Sequence, residues 1–174
     1  MLSAQATISP PELETGLRRL VTEALFSNTT AALTTGVVLT AFALHLGANN
    51  ATIGLLAAIP FLTQLAQVPA IALIERRRER KRISVFASVF GRTMLGAMAL
   101  APFAGALGLP ILVVATTILC AMGAIGGCAW NSWIRDLAPD DRMGRIFAQR
   151  TVYGTITTLI AGIVAAVVLE TTPE

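Results

Sequence analysis

The sequence predicts an all-α, polytopic membrane protein, a transmembrane helical bundle with five spans. Hydrophobic residues make up 55% of the 174 residues, charged residues only 13%, and the mean hydropathy is +0.71. Soluble domains carry about a quarter charged residues. The apolar residues form runs close to the roughly 20 residues that cross a bilayer core. Basic residues are largely confined to the segments between alternate runs, which is typical of membrane topology.

The basic residues predict the orientation of the spans. Of the 13 lysines and arginines, six lie in residues 75–82, four between 135 and 150, and Arg18 and Arg19 precede the first run. The connections at 47–51 and 104–109 contain none. Because basic loops stay in the cytoplasm, we expect a cytoplasmic N-terminus and a C-terminus on the outer side. The same distribution argues against nucleic-acid binding, which needs a basic surface on one face.

The predicted topology divides the chain into a cytoplasmic segment, residues 1–23, and a five-helix domain, residues 24–174. Leu13, Leu17 and Leu20 fall on one face of the first segment, a pattern that fits a helix on the inner membrane surface. The spans are predicted at about residues 24–46, 52–74, 83–103, 110–134 and 152–169. The lipid bilayer is therefore the first predicted partner.

Polar side chains inside the spans are the candidate substrate-binding residues, because polar groups in hydrocarbon need partners. The candidates are Asn28, Thr34, Gln64, Gln67, Arg92 and Asn131. For Thr34 and the two glutamines, interhelical packing is an alternative to solute contact. Pro60 precedes the glutamines and removes a helical hydrogen bond, so we expect a kink in the second span.

Arg92 lies deep in the third span, where a charge costs at least ~2.5 kcal/mol. Its guanidinium could bind an anionic group of a solute, or its long side chain could reach an internal partner. Ser84, Ser88 and Gly96 recur with it at four-residue spacing, and we expect this face to point into the bundle.

No enzymatic activity, metal or other cofactor is predicted. The chain has a single histidine, no metal-ligand cluster, no glycine-rich phosphate loop and no nucleophile–base pair. Cys120 and Cys128 are interpreted as small packing residues. Gly123 and Gly127 form a GxxxG pair in the fourth span, which predicts close approach of another helix.

Two inner segments resemble motifs of the major facilitator superfamily of transporters. The stretch from Asp136 to Arg145 reads DLAPDDRMGR and resembles that family's D-x-x-P-x-x-x-R-G-x loop, with Met143 inserted before Gly144. The sequence LIER at residues 73–76 is similar to the start of G-x-x-x-D-R-x-G-R-R, with Glu75 for Asp and Arg78 for the central glycine.

The resemblance implies transport of a small solute by alternating access. It implies that Glu75, Arg76, Asp136, Arg142, Gly144 and Arg145 steady the cytoplasmic side, although these positions could also serve only to set topology. The family fold has two six-helix halves, so the chain looks like an N-terminal fragment that needs a C-terminal bundle or another helical subunit. The fourth span lacks the family's intramembrane arginine motif and the fifth lacks its Gly-Pro motif, which argues against a drug exporter. The alternative function is a non-transporting membrane protein that assembles with partner subunits.

Overall fold

The computed structural model describes residues 10–77, 79–137 and 140–171, and all regular structure within them is helical. The α-helices are α1 (Pro10–Thr34), α2 (Gly36–His45), α3 (Asn50–Thr63), α4 (Gln67–Arg77), α5 (Arg80–Leu100), α6 (Gly108–Leu137) and α7 (Asp140–Thr171). Two 3-10 segments, Gln64–Ala66 and Ala101–Leu107, join α3 to α4 and α5 to α6. The predicted all-α class is confirmed.

Four helical stretches in the described residues are long and apolar enough to cross a membrane. They are Glu14–His45, Asn50–Arg76, Arg80–Ile134 and Met143–Val168. The third has 55 residues and would be about 80 Å long as one straight helix, against a hydrocarbon core of about 30 Å. It therefore cannot be a single straight crossing.

The chain reverses direction within that stretch at Gly105, whose φ and ψ are 54° and −125°. An L-residue with a side chain rarely adopts this conformation, so glycine is needed there. Three contacts between α5 and α6 show that the chain has turned back. Arg80 Nη1 donates to the Ser132 carbonyl over 3.3 Å and Ser84 Oγ to the Gly126 carbonyl over 3.4 Å. Gly91 lies against Met122. Residue numbers rise on α5 as they fall on α6, so the two helices are antiparallel.

The helices group into two compact units. The central unit comprises residues 42–136, and the terminal unit comprises the described parts of 3–41 and 137–174. In the central unit, α6 contributes the largest fully buried side chains, Leu112, Thr116 and Ile134. Small buried residues on α5, including Ala87 and Gly91, let the α6 backbone approach closely.

In the terminal unit, α1 packs along α7. Arg150 Nη2 lies 3.2 Å from Glu23 Oε2, and Asn28 contacts Gly154. Both residue numbers rise together from the first contact to the second. The two helices therefore run parallel. Two helices that follow each other in sequence and are joined by a short connection could not do so.

The first predicted span and the second, which was expected to kink at Pro60, are both interrupted near their centres. The chain bends at Thr35 between α1 and α2, and Gly36 has a φ of 60°. The irregularity expected at Pro60 appears as the 3-10 segment Gln64–Ala66, four residues later. Thr63 Oγ1 donates to the Ile59 carbonyl over 2.8 Å just before this change.

The turn between α2 and α3 is formed by backbone hydrogen bonds at the end of α2 and by an asparagine cap at the start of α3. Ala48 N–H donates to the Ala43 carbonyl and Gly47 N–H to the Leu44 carbonyl, at 2.9 and 2.8 Å. With Gly47 at a φ of 82°, this is a Schellman motif. Asn49 then caps α3, its Oδ1 accepting from the Thr52 N–H over 2.9 Å.

Two helices extend beyond the apolar runs that predicted them. Helix α1 passes through the predicted boundary at residues 23 and 24 without a break. Helix α7 begins at Asp140, so most of the segment 135–150, expected as a connecting loop, is helical. Charged residues end an apolar run without ending a helix, because Arg and Glu are themselves good helix formers.

Candidate functional site

The central unit contains a cavity of about 270 Å³. Around the 3-10 segment it is lined by Pro60, Thr63, Gln64 and Gln67. From α6 it is lined by Cys120, Gly123, Ala124, Gly127, Cys128 and Asn131. Three of the six candidate substrate-binding residues therefore meet in one cavity, although they come from two separate helical stretches.

The helical period explains why these residues share one cavity. On α6 the lining positions recur at three- and four-residue steps from Cys120 to Asn131, which follow one face of a helix. Pro60, Thr63, Gln64 and Gln67 follow the same rule on the facing stretch. The cavity lies where that stretch changes from α to 3-10 helix, so its wall is irregular at this level.

The polar groups of the cavity are amides and hydroxyls. Gln67 Nε2 donates to Gln64 Oε1, and the Thr63 hydroxyl is turned back onto its own helix. Gln64 and Asn131 are exposed, while Gln67 is half-buried. An amide has two donors and an acceptor with two lone pairs. The Gln64–Gln67 bond therefore leaves capacity on both side chains for a ligand.

Gly123 and Gly127, expected as a helix-packing pair, form part of the cavity wall. A Cβ added to either would meet no atom within 4 Å. By contrast, Gly91 on α5 lies in close contact with α6, where an added Cβ would lie 3.1 Å from Met122 Cβ. The GxxxG spacing identified a face of small residues, but in the central unit that face opens onto space.

Asn28 and Thr34 belong to the terminal unit and are not among the lining residues of the cavity. Asn28 Nδ2 donates to the Ala24 carbonyl over 2.7 Å, and the side chain packs against Gly154. Thr34 Oγ1 donates to the Thr30 carbonyl over 2.7 Å at the last turn of α1. Both side chains are half-buried.

Arg92 is exposed on α5 and does not line the cavity. The packed face of α5 carries Ser84, Ala87, Gly91 and Met98. Steps of four residues advance by about 40° around a helix beyond one full turn, since each residue turns by about 100°. A stripe followed in such steps from Ser84 therefore leaves the packed face by the time it reaches Arg92.

The basic segment at residues 75–82 contacts the end of α6. Besides the Arg80–Ser132 bond, Lys81 Nζ lies 5.9 Å from the ring centroid of Trp133, within range of a cation–π interaction. Arg82 Nη1 lies 3.0 Å from Glu79 Oε1. These contacts were not predicted, although Trp133 at the end of an apolar run next to cationic residues was the available signal.

Of the positions matched to transporter motifs, Glu75, Arg76, Gly144 and Arg145 are exposed. The side chains of Asp136 and Arg142 lie outside the described residues. In the terminal unit, an ion pair joins Glu23 of α1 to Arg150 of α7. In the described part of the chain, no group of His, Cys, Asp or Glu could hold a metal ion.

No protein-family model, no curated protein and no solved structure matches this chain.

The contrast between cavity-lining and packed glycines predicts opposite effects of added methyl groups. Gly127→Ala should raise the stability of the chain in detergent by about 0.5–1 kcal/mol, since alanine favours the helix and the space is open. Gly91→Ala should be less stable than Gly127→Ala by at least about 1 kcal/mol, because Met122 must shift. Unfolding followed by helical circular dichroism measures both. Strong destabilisation by Gly127→Ala would show instead that this glycine packs against a helix.

The contact of Asn28 with Gly154 predicts non-additive substitutions on the parallel helices α1 and α7. A Cβ at residue 154 would lie 2.7 Å from Asn28 Nδ2. Gly154→Ala should therefore cost about 1 kcal/mol of unfolding free energy by displacing a hydrogen-bonded amide. In an Asn28→Ala background the same substitution should cost little. Additive effects in this double-mutant cycle would contradict the parallel register.

Proposed function

We propose that this chain is a helical bundle of a membrane transporter that moves a small solute by alternating access, similar to the N-terminal half of a major facilitator superfamily protein. The observation that carries the proposal is the cavity, where Gln64, Gln67 and Asn131 converge from two helical stretches. Thr63 and Gln64 lie at the centre of the stretch Asn50–Arg76. Sites near the bilayer midplane, built at interrupted helices, are typical of secondary transporters.

The open side of the cavity supports the proposal of a partner. Gln64 and Asn131 are exposed, and unpaired polar groups in hydrocarbon cost several kcal/mol each. Lipid is therefore an unfavourable neighbour for this side. A second helical bundle, with water or solute between the two, would satisfy these amides.

Five crossings agree better with the helix directions than four. Parallel α1 and α7 cross the membrane in the same sense only when an odd number of crossings separates them. The stretch Asn50–Arg76 provides one, and the antiparallel α5 and α6 provide two more. Together with the basic inner segments, this supports a cytoplasmic N-terminus and a C-terminus on the outer side.

Accessibility of introduced cysteines tests this topology. In a background with Cys120 and Cys128 replaced by alanine, Asn50→Cys and Arg76→Cys place thiols at two exposed positions. In intact cells an impermeant maleimide should label the thiol at position 50 and leave that at position 76 unlabelled. After permeabilisation both should react. Labelling of position 76 in intact cells would contradict the orientation.

Uptake by proteoliposomes tests transport. The chain alone should show no saturable uptake from a panel of radiolabelled small solutes, because the open side of the cavity is uncovered. The chain co-purified with the membrane partner that covers it should show saturable uptake. In that assembly Gln67→Met should lower the initial rate about tenfold, the equivalent of about 1.4 kcal/mol and close to the value of one hydrogen bond.

Gln149→Met, on α7 and outside the cavity lining, is the matched control and should leave the rate unchanged. Saturable uptake by the purified monomer would contradict the need for a partner. An intact assembly that transports no solute of the panel would favour the non-transporting, partner-binding role.

A further inference from the structure

We propose that the cavity of the central unit selects small uncharged solutes that carry hydroxyl or amide groups, and that Gly123 and Gly127 provide the space that the solute occupies. The proposal deepens the proposed function, on which its biological meaning rests. Binding itself needs only residues of the central unit, since every lining residue lies between positions 42 and 136.

The charge of the cavity lining is the reason to expect an uncharged solute. All of its residues are neutral, and Arg92, the charged residue deep in the third predicted span, is not among them. Moving an ion from water into a site of low dielectric costs several kcal/mol unless an opposite charge faces it. A neutral solute avoids that cost, so the cavity discriminates against carboxylates and ammonium groups.

The amide side chains that line the cavity are the reason to expect hydroxyl or amide groups on the solute. Gln67 donates a hydrogen bond to Gln64, and Asn131 lines the same cavity from α6. Each amide offers donors and an acceptor side by side. Hydroxyl and amide groups of a solute offer the same combination, so both partners can satisfy their hydrogen bonds within the cavity.

The volume of the cavity is the reason to expect a small solute. At about 270 Å³ the cavity is slightly smaller than the roughly 300–1,000 Å³ typical of ligand pockets, which suits a small solute. Gly123 and Gly127 leave open space where other residues would place a side chain. Larger residues at these positions would occupy the volume that a solute needs.

Alkylation of the native thiols provides the test, because Cys120 and Cys128 line the cavity and are half-buried. The full chain is placed in phospholipid nanodiscs, and modification of each cysteine by N-ethylmaleimide is followed by mass spectrometry. Erythritol and malonamide are the uncharged probes. Erythronate and malonate are their charged counterparts, and sucrose is an uncharged solute too large for the cavity.

Saturating erythritol or malonamide should slow modification of at least one of the two cysteines threefold or more, whereas erythronate, malonate and sucrose should not. Gln67→Met and Gly127→Leu should abolish the protection, and Gln149→Met should retain it. Gly127→Ala, which the open space tolerates, should reduce protection while preserving the helical spectrum, and so separates loss of volume from loss of fold.

Equal protection by malonate and malonamide, or protection that survives both Gln67→Met and Gly127→Leu, would overturn the proposal. So would the absence of protection by both uncharged probes. The proposed function would still stand if the partnered assembly transported a charged solute, so the two hypotheses fail on different measurements.

Discussion

Hydrocarbon offers no hydrogen bonds to the peptide group or to a polar side chain, and this constraint governs most of what the chain does. The threonines of α1 illustrate the response: Thr29, Thr30 and Thr34 each donate to a carbonyl four residues earlier. Their hydroxyls need no interhelical partner as a result. The amides of Gln64 and Asn131 exceed what one helix can satisfy, since each has several donors and acceptors. They therefore mark the place where the chain needs something other than lipid.

The cavity follows from two local departures from regular packing. On the stretch from α3 to α4, Pro60 cannot donate a helical hydrogen bond, and the helix passes through a 3-10 segment within the next turn. On α6, glycines at 123 and 127 remove the side chains that would otherwise fill the resulting space. Nearby, Gly91 and Gly126 bring α5 and α6 together. Small residues on two faces of α6 thus have different consequences, close packing on one and a cavity on the other.

Sequence reasoning predicted the helical class and the membrane-crossing character, because both depend on local composition. It also selected Gln64, Gln67 and Asn131 individually, as polar residues in apolar runs. It could not predict that they meet, since contact between separate stretches depends on tertiary packing. The parallel pairing of α1 and α7 and the Glu23–Arg150 ion pair were missed for the same reason. Arg92 shows a different limit: a four-residue repeat drifts around the helix, so shared spacing did not imply a shared face.

Because the cavity lies within the central unit, the proposed solute binding and the movement needed for transport can involve different parts of the assembly. All of the cavity lining belongs to the central unit, so the proposed solute binding involves no residue of the terminal unit. Alternating access requires the open side to be exposed first to one aqueous compartment and then to the other. That exchange needs a second body against which the cavity opens and closes. The contacts of Arg80 and Lys81 with the end of α6 hold two helices of the central unit together at one end, which suits a unit that moves as a rigid whole. On the proposed mechanism, selectivity would reside in the chain itself and a partner would supply the motion.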